Sequence, residues 1–166
     1  MRHFTRMVVF ATCLAAAGYE TSARAGPVDD VEAAYRIGEV GKAIAIAKAA
    51  AERSDPKAQA LLAFYLYTKV PPDPVEAMKW WRRSAEQGHA EGQFMLATQY
   101  FYGVATPTDY AAAYKWALVA ARSPQLSESA RNEVLKLTSE IRMKLAPDQI
   151  KAAQAEAVAF HPKPER

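Results

Sequence analysis

Residues able to do chemistry are sparse in this 166-residue chain, and their spacing argues against catalysis. Of the three histidines, His3 lies near the start and His161 in a proline-containing end, which leaves His89 alone in the body of the chain. A metal centre needs several His, Cys, Asp or Glu side chains at ligand spacing, and His89 has no such companion. The single cysteine, Cys13, sits in the opening segment, so the rest of the chain supports no disulfide framework, thiolate site or catalytic thiol. No serine stands in a Gly-x-Ser-x-Gly setting. The adjacent acids Asp29 and Asp30 read as helix-entry charges that complement the positive end of a helix dipole. Glu52, Glu86 and Glu91 read as solvated positions near turns. The expectation is therefore no catalytic residue, no cofactor, no metal and no enzymatic activity.

What the sequence does carry is an internal repeat. A shift of 34 aligns Lys42-Ala43-Ile44 with Glu76-Ala77-Met78, Ala51-Glu52 with Ala85-Glu86, and Gln59 with Gln93. A shift of 36 aligns Asp73 with Asp109, Ala77 with Ala113 and Lys79-Trp80 with Lys115-Trp116. A period of about 34 to 36 residues identifies stacked helical hairpins, each too small to bury its own apolar stripe. The units read as Val28 to Ile37 with Val40 to Glu52, Lys57 to Tyr67 with Val75 to Gln87, and Ala90 to Tyr102 with Tyr110 to Arg122. Prolines 71, 72 and 74 break the middle pair, and Gly38, Gly88 and Gly103 fall where helices end.

Side-chain size follows the same period. Ala43, Ala47 and Ala50, then Ala77 and Ser84, then Ala113, Ala117 and Ala120 are placed for close helix crossings. Leu62, Leu66, Trp80, Trp81, Leu96, Tyr100 and Trp116 are placed to fill the space between units. Beyond residue 126 the repeat stops. Val134, Leu137, Ile141 and Leu145 recur at helical spacing within Ser129 to Leu145, and Pro147 then opens a second helix from Asp148 to Phe160. These read as helices that cap the stack, with docking of a partner or of a second copy as the alternative. Residues 161–166 read as a mobile tail.

The string Glu76-Ala77-Met78-Lys79-Trp80-Trp81-Arg82-Arg83-Ser84-Ala85-Glu86-Gln87-Gly88-His89-Ala90 resembles the second helix and exit turn of a Sel1-like repeat, a relative of the tetratricopeptide repeat. Gln93, Leu96, Ala97, Tyr100, Gly103, Pro107, Asp109 and Tyr110 follow the pattern of the first helix and its loop. Ala63 and Ala97 stand where the family has glycine. The resemblance covers roughly residues 27–160 and implies an all-α, right-handed α-solenoid of about three antiparallel helix pairs, with repeats over 27–126 and capping helices over 127–160. It also implies a concave face lined by the first helix of each unit. On that face Lys57, Phe64, Tyr67, Glu91, Phe94, Thr98 and Phe101 are the candidate contacts to a protein or peptide partner, the plainer alternative being that the aromatics are core. Aromatic side chains suit such a groove because they bury much area at little entropic cost.

The first 25 residues have a different character. Arg2 and Arg6 precede an apolar run from Met7 to Ala17, and Ala23-Arg24-Ala25 has the small-x-small form of a cleavage site. The segment resembles a secretory signal peptide cut after Ala25, and its apolar run is far shorter than the ~20 residues of a membrane-spanning helix. Without it the formal charge falls from +3 to +1, which removes the electrostatic case for binding nucleic acid or an anionic membrane. A periplasmic or secreted chain follows, with no membrane span after cleavage. Bacterial members of the resembled family suggest an adaptor in the envelope, in signalling or polysaccharide regulation. The alternatives are an accessory subunit of an envelope complex and a secreted, host-directed effector. Self-association through the terminal helices stays open.

Overall fold

The computed structural model describes residues 26–165; the leader expected over residues 1–25 lies outside that range. The described residues form helices and no strand: α1 (Pro27–Arg36), α2 (Val40–Ala51), α3 (Pro56–Thr68), α4 (Pro74–Glu86), α5 (Ala90–Tyr102), α6 (Tyr110–Ala121), α7 (Glu128–Arg142) and α8 (Pro147–Ala159). Short connections fold each helix back on the one before, and consecutive helices from α1 to α6 pack together in chain order. The first helices also touch along the stack, α1 on α3 and α3 on α5. This is the all-α solenoid that the period implied.

Local chemistry sets the helix ends. The Asp55 carboxylate accepts from the backbone N–H groups of Lys57 and Ala58, Asp73 from Glu76, Asp109 from Ala112, and the Ser127 hydroxyl from Ala130. Pro56, Pro74 and Pro147 each open a helix, where the missing N–H is no loss. Pro74 therefore begins α4 instead of belonging to the preceding break. Gly88 takes φ +94°, and the Gly88 and His89 N–H groups return to the carbonyls of Ala85 and Ser84, closing α4.

The core is built from the small residues the period marked. Ala43, Ala47, Ala50, Ala77, Ser84, Ala113, Ala117 and Ala120 are all fully or almost fully buried, and Trp81, Leu62 and Leu96 fill the space between them. One tight crossing lies between α4 and α5, where a Cβ on Gly92 would sit 2.5 Å from the Ser84 hydroxyl oxygen. That hydroxyl donates to the Pro56 carbonyl at 2.6 Å, so the buried polar atom is satisfied and α4 is tied to the start of α3. The repeat extends to polar side chains: buried Gln59 donates to the Ala51 carbonyl, and buried Gln93 to the Ala85 carbonyl, both at 3.2 Å.

The last two helices depart from the hairpin pattern. Both α7 and α8 pack on α6, and they barely touch each other. Arg131 of α7 donates to the carbonyls of Ala121 and Ser123 at 2.6 and 2.8 Å, satisfying the exposed end of α6. On α8, Glu156 pairs with Lys115 at 3.0 Å and the Ala157 carbonyl accepts from Arg122.

The segment after α8 is held, where a mobile tail was expected. The Phe160 ring meets Trp116 edge-on at 5.2 Å. Lys163 donates its backbone N–H to the Glu86 carbonyl, and Glu165 takes two hydrogen bonds from Arg83 at 2.8 and 2.7 Å. Proline content suggested freedom, but the two prolines stiffen the segment and the anchors come from distant α4, which local composition cannot reveal.

Candidate functional site

The first helices carry the candidate contacts, and packing divides those contacts into two groups. Phe94 and Thr98 of α5 are 8% and 5% exposed, and Thr98 donates its hydroxyl to the Phe94 carbonyl at 2.9 Å. These two belong to the floor of the fold and are removed from the list of surface contacts. Phe64, Tyr67 and Phe101 are half-buried, and Lys57 is exposed. Half-burial leaves an aromatic both fixed and reachable, which is the combination a binding surface needs.

Neighbouring rings explain the fixation. Phe64 lies 5.6 Å from Tyr65, which stacks on Tyr35 of α1 at 4.4 Å. Burial pushes the Tyr65 hydroxyl up to about 12, with Glu32 adding to the shift, so it stays neutral across the physiological range. Tyr67 sits 5.5 Å from Trp81 on α4, and burial raises its hydroxyl too. Phe101 is flanked by Tyr102 at 4.8 Å and by Tyr110 of α6 at 5.7 Å. Tyr35, Tyr102 and Tyr110 were not among the sequence candidates.

Charges on this side are mostly paired. Lys57 Nζ lies 4.0 Å from Glu32, and His89 Nε2 lies 3.1 Å from the Glu91 carboxylate. His89 stands at the N-terminal cap of α5 without a side-chain capping bond. Its pKa falls below the usual 6.5, first because burial disfavours the charged ring and then because of Lys57, with Glu91 and Asp55 opposing. A neutral imidazole donating to Glu91 accounts for this geometry. No group of three His, Cys, Asp or Glu side chains converges among the described residues.

One open cleft, of about 470 Å³, lies where the α5–α6 loop meets the α7–α8 turn. Tyr100, Asp109, Tyr110, Lys144 and Gln149 are among the residues that line it. Tyr100 is also the link between units, its hydroxyl accepting from Arg82 at 2.7 Å. The period does not reveal this cleft, because Lys144 and Gln149 lie outside the repeat.

The repeat geometry now has a family. Residues 56–89 and 90–124 each match the Sel1 repeat. The chain carries two Sel1 repeats. The first match opens at the start of α3 and the second at the start of α5, so each Sel1 repeat is one helix pair with its exit turn. A similar solved structure is c5321, a protective antigen present in uropathogenic Escherichia coli strains, displaying an SLR fold, with a TM-score of 0.70 and 23% sequence identity. The likeness covers 81% of this chain and 29% of that one, so this chain spans under a third of the antigen's length, and the likeness shows the fold alone. No curated protein matches the sequence. Sel1 repeats generally mediate protein–protein interaction, and the fold is typically a non-enzymatic scaffold.

Proposed function

We propose that this Sel1-like repeat protein is an exported adaptor in the bacterial envelope, holding an extended or helical segment of a partner protein along its first helices. The observation that carries the reading is the set of fixed but reachable aromatics, Phe64 and Tyr67 on α3 and Phe101 on α5, the first helices of successive units. Export is supported by the basic, apolar, small-residue order of the first 25 residues. No helix among the described residues is long and apolar enough to cross a membrane. Roles in signalling or polysaccharide regulation would follow from the partner.

A second reading has its own support. Leu135 on α7, Met143 just after it and Val158 on α8 are exposed, and such residues suit permanent packing into a larger assembly. The deciding experiment is affinity capture from the native envelope with the natural protein and with a Lys57→Glu, Phe64→Ala, Phe101→Ala variant of unchanged helical circular dichroism. Tyr67 is left intact because it packs on Trp81. The adaptor reading expects one partner, lost in this variant. Retention in this variant and loss in a Leu135→Ser, Met143→Ser, Val158→Ser variant would favour the subunit reading.

A further inference from the structure

Between Trp116 and Ser54 the exit turns of the units form an edge, and residues 160–165 run along it from the third unit back to the junction of the first and second. The hydrogen bonds show what this edge recognises. Of the residues in the segment, Pro162 and Pro164 have no N–H to donate; Lys163 and Glu165 direct theirs to the Glu86 carbonyl at 2.9 Å and the Gln87 side-chain oxygen at 3.5 Å. The Glu165 carboxylate receives Arg83 Nε and Nη2 at 2.8 and 2.7 Å and Gln59 Nε2 at 3.0 Å. Gln87 in turn donates to Gln59 at 2.8 Å, and the Arg83 guanidinium lies 4.4 Å over the Trp80 ring, so the receptor atoms are held by one another. A fork of two N–H groups on a carboxylate is the strong, oriented form of this contact.

The duties of these residues separate cleanly. Gln59 to the Ala51 carbonyl is repeated by Gln93 to the Ala85 carbonyl, so it belongs to the fold. Arg83 and Gln87 do not repeat. At the matching positions the first unit has Ala49 and Arg53, and the third has Val119 and Ser123. Carboxylate recognition is thus specific to the middle unit. Meanwhile residues 161–164 are exposed, so the segment is anchored chiefly by Phe160 at one end and Glu165 at the other. A segment that buries little between two anchors is cheap to displace.

We propose that this edge, made by Trp116, Gly88, Glu86, Gln87, Arg83 and Gln59, is a second binding groove for an extended, proline-stiffened segment of a protein partner bearing a carboxylate, and that residues 160–165 occupy it in cis until displaced. Gly88 shapes its floor: a Cβ there would meet Pro162 at 2.8 Å, so the closest approach of the segment requires glycine. Proline stiffening lowers the entropy lost on binding, for the chain's own segment and for a competitor alike. The groove uses other residues than the first-helix face, so the two readings fail separately.

The test titrates a labelled peptide of the sequence of residues 160–165 into the full chain and follows fluorescence anisotropy. Glu165→Lys repels Arg83 and opens the groove, so this variant binds the peptide about tenfold tighter than the natural chain. Glu165→Gln gives a smaller gain in the same direction and guards against a misfolded charge reversal. In the Glu165→Lys chain, a peptide with glutamine in place of its glutamate binds about tenfold more weakly. Adding Arg83→Glu to Glu165→Lys restores the cis contact with charges exchanged and closes the groove again. Equal affinity for the natural and opened chains, or no binding to either opened chain, overturns the proposal. So does a dimer of the natural chain in sedimentation that Arg83→Glu dissolves, because the segment would then belong to a second copy.

Discussion

The stack from α3 to α6 and the closing pair α7 and α8 are both made of helices of similar length, yet they are stabilised in different ways. In the stack each helix packs on the next, small residues line the crossings, and a glutamine clamp recurs once per unit. In the closing pair each helix packs on α6 with its buried apolar residues, Val134, Leu137 and Ile141 on α7 and Ala153 and Ala157 on α8, beside a few polar anchors, and the two hardly touch. Repetition spreads stability over many equivalent contacts, whereas each contact of an end cap occurs once. The lesson is that removal of one residue should act globally in the stack and locally at the cap.

The sharpest way to test the contrast is Trp81→Ala. This ring is fully buried between the units, and its loss should cost about 3–5 kcal/mol, read as an earlier urea midpoint for the entire chain. Arg131→Met comes next. It strips two carbonyls of their donor and should cost roughly 1–3 kcal/mol. Native-state hydrogen exchange should then quicken in α7 and leave α3 and α4 unchanged; equal acceleration everywhere would break the comparison.

A smaller effect of opposite sign is expected at Gln99. Its side chain is fully buried on α5, and neither amide atom has a hydrogen-bond partner among the described residues. Gln99→Met keeps the length and removes the unsatisfied groups, and should stabilise by about 1 kcal/mol in the same urea experiment.

The smallest effect is one of pH. The pKa of His89 is lower folded than unfolded, so between the folded value and 6.5 the unfolded chain binds more protons. Its contribution is whole above pH 6.5 and is lost as pH falls through the folded value. Glu165 acts at lower pH, since Arg83 holds its carboxyl below the usual 4.5 and that contribution is lost only as pH falls below 4.5. Thermal melts of His89→Gln should lose the upper limb of the acid sensitivity and retain the lower.

The contrast also explains what could be read in the sequence. Helix positions in the stack, their small crossing residues and the glutamine pair were legible because each appears at a constant shift. The closing helices were legible as helices, from the spacing of Val134, Leu137 and Ile141, but their splayed packing was not, since no second copy of that region exists for comparison. The candidate face was half legible. Period places Phe64 and Phe94 on the same kind of helix, yet Phe94 is buried and Phe64 is half-buried, a difference that depends on neighbours far away in sequence. The Arg83 to Glu165 contact joins residues on α4 and beyond α8, and nothing local announces it.

The most direct test of the adaptor account is a photo-crosslinker placed singly at Phe64, Phe101, Lys48 and Lys79 in the full-length protein in its own envelope. Positions 64 and 101 lie on first helices, 48 and 79 on exposed parts of second helices. The account expects 64 and 101 to trap the same partner and 48 and 79 to trap none. Capture of the partner from 48 and 79, with 64 and 101 silent, would contradict it.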